Sequence, residues 1–71
     1  MTLDALCSIV ALQLGRATVD PDARLVEELG ADSMDLVSVL ASIEERTGVG
    51  LDETAFAEVA TTRELHTLVT S

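Results

Sequence analysis

The chain has no lysine, no tryptophan and no tyrosine, and only one phenylalanine, one proline and one cysteine. Each scarcity excludes something. Its four arginines face thirteen acids, for a net charge of −9. Nucleic acid and anionic membrane both require clustered cations, so neither is an expected partner. A single cysteine, Cys7, cannot build an internal disulfide framework and fits a reducing compartment. No window approaches the ~18 apolar residues of a membrane span. Met1 to Leu14 lacks a basic leader, and Asp4 interrupts its apolar run, so it does not read as a secretory signal. A cytoplasmic protein is expected. Neither the Cys/His spacing of a metal site nor a calcium-binding loop is visible.

What is present is a chain of 71 residues, 48% of them hydrophobic. That is too apolar for a disordered acidic tail, and the length fits one small domain over residues 1–71. A domain of this size buries only about 60% of the surface its unfolded chain exposes, so modest stability is expected. Its acidic surface would steer basic protein patches towards it, unless the acids serve only solubility.

Helical spacing dominates the pattern. Leu3, Leu6, Cys7, Val10 and Leu14 predict a first helix over about Leu3 to Leu14, with Thr2 as cap and Gly15 as stop. A long loop follows, with Asp20, Pro21 and Asp22 as turn formers. Leu25, Val26 and Leu29 supply an apolar patch to pin that loop, and Gly30 a tight turn. A second helix is predicted from about Ser33 to Arg46, capped by Asp32 with Asp35 three residues on, and ended by Gly48. Its Leu36, Leu40 and Ile43 should face inward, with Val39 beside them. Asp52 to Val59 predicts a short third helix with Asp52 as cap and Phe56 and Val59 inward. Thr61 and Glu64 form a capping-box signature for a last helix to about Val69, burying Leu65, Leu68 and Val69. The expected fold is all-α: a small four-helix bundle of three main helices, a short third one and a long first loop.

Ser33 is the residue that carries chemistry. It stands between Asp32 and Asp35 after a glycine turn, at the front of a helix. A helix N-terminus offers free N–H groups and partial positive charge, which favour a phosphate attached there. The bland alternative is that Asp32 or Ser33 merely caps the helix, a role worth about 1 kcal/mol. A hydrolase reading with His66 has no support, because no G-x-S-x-G elbow is present. Cys7 falls on the apolar stripe of the first helix and reads as core.

Residues Leu25 to Val37, LVEELGADSMDLV, resemble the signature F/L-x-E-D-L-G-x-D-S-L-D-x-V of the acyl carrier protein family. Ile43 to Asp52, IEERTGVGLD, is similar to the family's end of helix two, and Val59 to Leu65, VATTREL, to its entry into the last helix. The resemblance covers nearly the whole chain. It implies that Ser33 takes a 4′-phosphopantetheine arm from coenzyme A through a phosphopantetheinyl transferase. It implies further that the arm carries acyl groups as thioesters and that the protein itself is not a catalyst. By position, Asp32, Met34, Asp35, Val37, Ser38, Ala41, Glu44 and Glu45 match residues with which the family docks partner enzymes. Those partners would be a ketosynthase, an acyltransferase or an acyl or amino-acid ligase, meeting a monomer. The bland alternative for Met34 and Val37 is half-buried packing, and for Glu44 and Glu45 a solvated face with a local pair to Arg46.

Four departures bear on specificity. Met34 replaces the family's leucine, Thr47 an aromatic, Asp52 a proline, and Ser38 an acid. With no flanking domain or linker in view, a free-standing (type II) carrier is expected. Ala60 to Leu65, ATTREL, resembles carriers of polyketide assembly somewhat more than those of fatty-acid synthesis. Peptidyl and D-alanyl carriers share the fold, and an unmodified acidic helical adaptor is the rival from another class.

Overall fold

In the computed structural model, residues 1–48 and 50–70 are described; Val49, inside the IEERTGVGLD stretch, lies outside them. The described residues form four helices, in order α1 (Leu3–Leu14), α2 (Ser33–Thr47), α3 (Glu53–Ala57) and α4 (Thr62–Thr70). The fold is all-α, and among the described residues the sole β feature is an isolated bridge between Arg24 and Thr61. The helix ends follow local chemistry. Thr2 Oγ1 accepts from the Ala5 N–H at 3.1 Å and caps α1. Gly15 and Gly48 close α1 and α2 in the left-handed conformation.

Two ends differ from expectation. The third helix is capped by Asp52 as expected but stops short of Val59, because its last turn tightens. There the Glu58 and Val59 N–H groups donate to Ala55 and Phe56 carbonyls, three residues back rather than four. At α4, Thr61 Oγ1 accepts from the Glu64 N–H at 3.2 Å as expected, but the Glu64 carboxylate reaches one residue further back, to the Ala60 N–H at 3.2 Å.

The core is built from Leu6 and Val10 of α1, Val39, Leu40 and Ile43 of α2, Phe56 of α3 and Leu65 of α4, with Val19, Leu25 and Ala31 from the loop. Helix α1 packs on both α2 and α4, so its buried face is wider than a single stripe. Ile9 and Ala11 are therefore buried as well, while Leu3, Cys7 and Leu14 at the margins are only half-buried. Leu36, Val59, Leu68 and Val69 likewise pack against the core without being fully covered. Thr62, which no apolar pattern marks, is fully buried, and among the described residues its hydroxyl has no hydrogen-bond partner.

The long loop is fastened to α4. The Arg63 guanidinium makes two bonds to the Asp22 carboxylate, at 2.7 and 3.2 Å. The Arg63 N–H donates to the Pro21 carbonyl, and the Leu25 N–H to that of Ala60. The anchor is narrower than predicted: Leu25 is buried and Leu29 half-buried, but Val26 points out to solvent. The two neighbours cannot both face inward where the chain turns.

Candidate functional site: a free hydroxyl at the front of α2

The segment before α2 is set by three local devices. The Ala31 N–H donates to the Leu25 carbonyl at 2.9 Å, which folds the loop back and buries Ala31. Gly30 takes φ 72°, a left-handed conformation that side chains disfavour. Asp32 then caps the helix: its Oδ1 accepts from the Asp35 N–H at 2.8 Å. In return Asp35 Oδ2 accepts from the Asp32 N–H at 3.2 Å, which completes a capping box.

This arrangement decides what Ser33 is. The cap is Asp32, so Ser33 occupies the first helical position. It is exposed, and among the described residues its hydroxyl makes no hydrogen bond. The capping explanation for the serine therefore falls away, and its oxygen is open to chemistry from outside.

Beyond Ser33 the outer face of α2 is apolar and uncovered. Met34 is 71% exposed and Val37 59% exposed, which excludes half-buried packing for both. Ala41 and Glu45 are exposed further along and Ser38 is half-buried beside them. Glu44 is drawn elsewhere. Its Oε2 accepts from the Leu51 N–H at 2.9 Å, tying the chain that leads to α3 back onto α2. Neither Glu44 nor Glu45 forms an ion pair with Arg46 among the described residues; the ion pairs there are Arg24–Glu27 and Arg63–Asp22.

A cleft of about 270 Å³ opens directly beside Ser33, lined by Leu36, Val37 and Leu40 of α2 and by Glu53, Phe56 and Ala57 of α3. Sequence reasoning did not place this cleft, since it depends on how α3 lies against α2. Asp52, where the family has proline, starts α3 by accepting from the Thr54 N–H at 2.9 Å. Two residues set aside on sequence lie elsewhere. Cys7 is half-buried in a separate cleft with Asp4, Thr18 and Pro21. Burial, and next the Asp4 carboxylate, push its thiol up, so it is a poor nucleophile. The His66 Nε2–H donates to the Met1 carbonyl at 3.0 Å, because a carbonyl can only accept.

The class defined so far is a small helical bundle that displays an unpartnered hydroxyl at a helix front, beside an open apolar cleft. The comparisons give it a family. The family described as "Phosphopantetheine attachment site" matches residues 4–69. An acyl carrier protein of Solidesulfovibrio magneticus is 45% identical over 47 residues, covering 63% of this chain and 60% of that protein. One from Nitratidesulfovibrio vulgaris is 38% identical over 52 residues, covering 70% of this chain and 68% of the relative. Acyl carrier protein 1, chloroplastic, of Hordeum vulgare is 34% identical over 71 residues, covering 96% of this chain and 47% of the relative. The chain belongs to the acyl carrier protein family. It spans about half to two thirds of the length of these relatives. Membership implies a covalently attached 4′-phosphopantetheine.

Proposed function

We propose that Ser33 is the attachment point of the 4′-phosphopantetheine and that the chain is a non-catalytic carrier of acyl groups. The observation that carries this reading is the Ser33 hydroxyl, exposed and free of partners because Asp32 has taken the capping role. The residues suit the group. The phosphate would sit at a helix front, where dipole and N–H groups favour it, and the arm would leave along an apolar cleft. Once attached, the arm supplies a terminal thiol on which acyl groups ride as thioesters. A phosphopantetheinyl transferase installs it: a bond forms from Ser33 Oγ to the pantetheine-bearing phosphorus of coenzyme A, the pyrophosphate P–O bond breaks, adenosine 3′,5′-bisphosphate leaves, and the hydroxyl proton passes to a base of that enzyme.

Partner enzymes dock on the outer face of α2, through Met34, Val37 and Ala41, with Asp32, Asp35, Ser38 and Glu45 at the margins. Exposed charges there act mainly on association rate, each pair being worth roughly 0–1 kcal/mol. Glu44 contributes less, since its carboxylate is held by the Leu51 N–H. The pathway we favour is polyketide or related natural-product synthesis. The support is the ATTREL segment and the serine at position 38, which leaves the docking face less acidic.

Mass spectrometry tests the carrier reading. Incubated with coenzyme A and a broad-specificity transferase, the wild-type chain should gain the mass of the arm and Ser33→Ala should gain none. No gain in the wild type, or a gain that survives Ser33→Ala, would sink it.

A further inference from the structure

We infer that Phe56 sets the length of cargo this carrier can shelter, limiting it to a short, uncharged acyl segment. This rests on Ser33 being the attachment point. The cleft beside Ser33 goes no deeper than Leu40 and Phe56, each 8% exposed. The fully buried side chains behind them, among them Leu6, Val39, Ile43 and Leu65, do not line it. Phe56 is the only phenylalanine in a chain with no tryptophan or tyrosine, and it packs α3 onto the core. The bundle is thus closed beneath the attachment site, and a cargo folded back along the arm meets a shallow apolar recess with a floor.

Size and charge define what fits. An engineered apolar cavity of about 150 Å³ holds one benzene ring. By that measure the cleft, about 270 Å³, is filled by at most roughly ten carbons. Longer chains must leave their ends in water. Glu53 is the one ionisable residue lining the cleft, so a carboxylate at the far end of the cargo is repelled by its like charge.

The experiment uses the chain loaded at Ser33 with saturated acyl groups of increasing length, loading being verified by mass. The fraction of cargo seated is read from the methyl NMR shifts of Leu36 and Leu40. Each methylene that enters should favour seating by about fourfold. The rise should stop by about ten carbons, and a matched chain ending in a carboxylate should seat less. Phe56→Leu, milder than alanine in so small a core, should move the plateau to longer chains, and Ala57→Leu should move it to shorter ones. A seated fraction that climbs past ten carbons, variants that leave the plateau in place, or complete loading with no shift at any length would overturn the assignment to Phe56. Failure to load at all would overturn the carrier reading and this inference with it.

Discussion

Replacing Asp32 by alanine tests the central piece of the site. The substitution removes the acceptor of the 2.8 Å bond from the Asp35 N–H and unseats the reciprocal 3.2 Å bond from the Asp32 N–H. Loss of such a cap costs about 0.5–2 kcal/mol, and loss of a carboxylate at a helix front costs about 0.3–1 kcal/mol more. The total, about 1–3 kcal/mol, is large against the roughly 5–15 kcal/mol that holds a typical domain together. In a domain of this size each kcal/mol moves Tm by about 4–8 °C, so a fall of at least several degrees is expected in thermal unfolding followed by circular dichroism. Asp32→Asn is the control. Asparagine caps as well as aspartate, and it removes one charge from a chain at −9, so its Tm should stay within a few degrees of wild type. It also separates the two roles of the residue. Any slowing of arm transfer in Asp32→Asn belongs to the carboxylate's encounter with the transferase, since the cap is kept. Unchanged melting in Asp32→Ala, or an equal fall in both variants, would refute the assignment of Asp32 as the cap that frees Ser33.

Two further perturbations address the frame around the site. Thr62 is fully buried with an unpartnered hydroxyl, a situation that costs about 1–3 kcal/mol. Thr62→Val should therefore raise the urea midpoint at unchanged m, and a lowered midpoint would mean that the hydroxyl is satisfied. The Asp22–Arg63 clasp gives a pH signature. Arg63, through its hydrogen bonds and then its charge, holds the Asp22 carboxyl below the usual carboxylate range. A depressed folded-state pKa stabilises above the unfolded value and is lost as pH falls through the folded value. Asp22→Ala should thus melt below wild type at neutral pH, with the gap closing only well into acid; a gap of constant size across that range would rule the clasp out.

The features that could be read from the sequence are those made by neighbours in the chain. Thr2, Asp32 and Asp52 cap helices because each carboxylate or hydroxyl meets an N–H two or three residues on, and Gly15 and Gly48 stop helices by their own backbone freedom. The carrier signature around Ser33 was legible for the same reason. What escaped depends on contacts between distant segments. The burial of Thr62 comes from the 21–25 loop lying against the start of α4, which no periodicity reveals. Cys7 shares the apolar spacing of α1 yet sits at its margin, because packing against α2 and α4 centres the buried face on Leu6, Ile9 and Val10. Hydrophobicity alone places Val26 in the anchoring patch, but in the fold it faces solvent. The bond from the Leu51 N–H to the Glu44 carboxylate likewise joins α2 to the chain that returns from it, and no pattern within α2 foretells it.

The distinction between a capping serine and an attachable one comes down to one residue of register. A serine at the cap has its oxygen committed to a backbone N–H of the first turn, and modifying it would uncap the helix. A serine one position later has helical backbone of its own and an oxygen that the helix does not need. Asp32 enforces the second arrangement, and Asp35 holds Asp32 in place from the opposite direction. Gly30 and the buried Ala31 fix where the helix begins, so the register cannot drift towards the loop. The acids that flank Ser33 in the sequence are therefore structural before they are recognition elements: they hold the helix so that its hydroxyl can be taken without loss to the fold. On this argument, whatever is attached at Ser33 is carried at no cost to α2, and the price of cargo falls only on the shallow cleft that ends at Phe56.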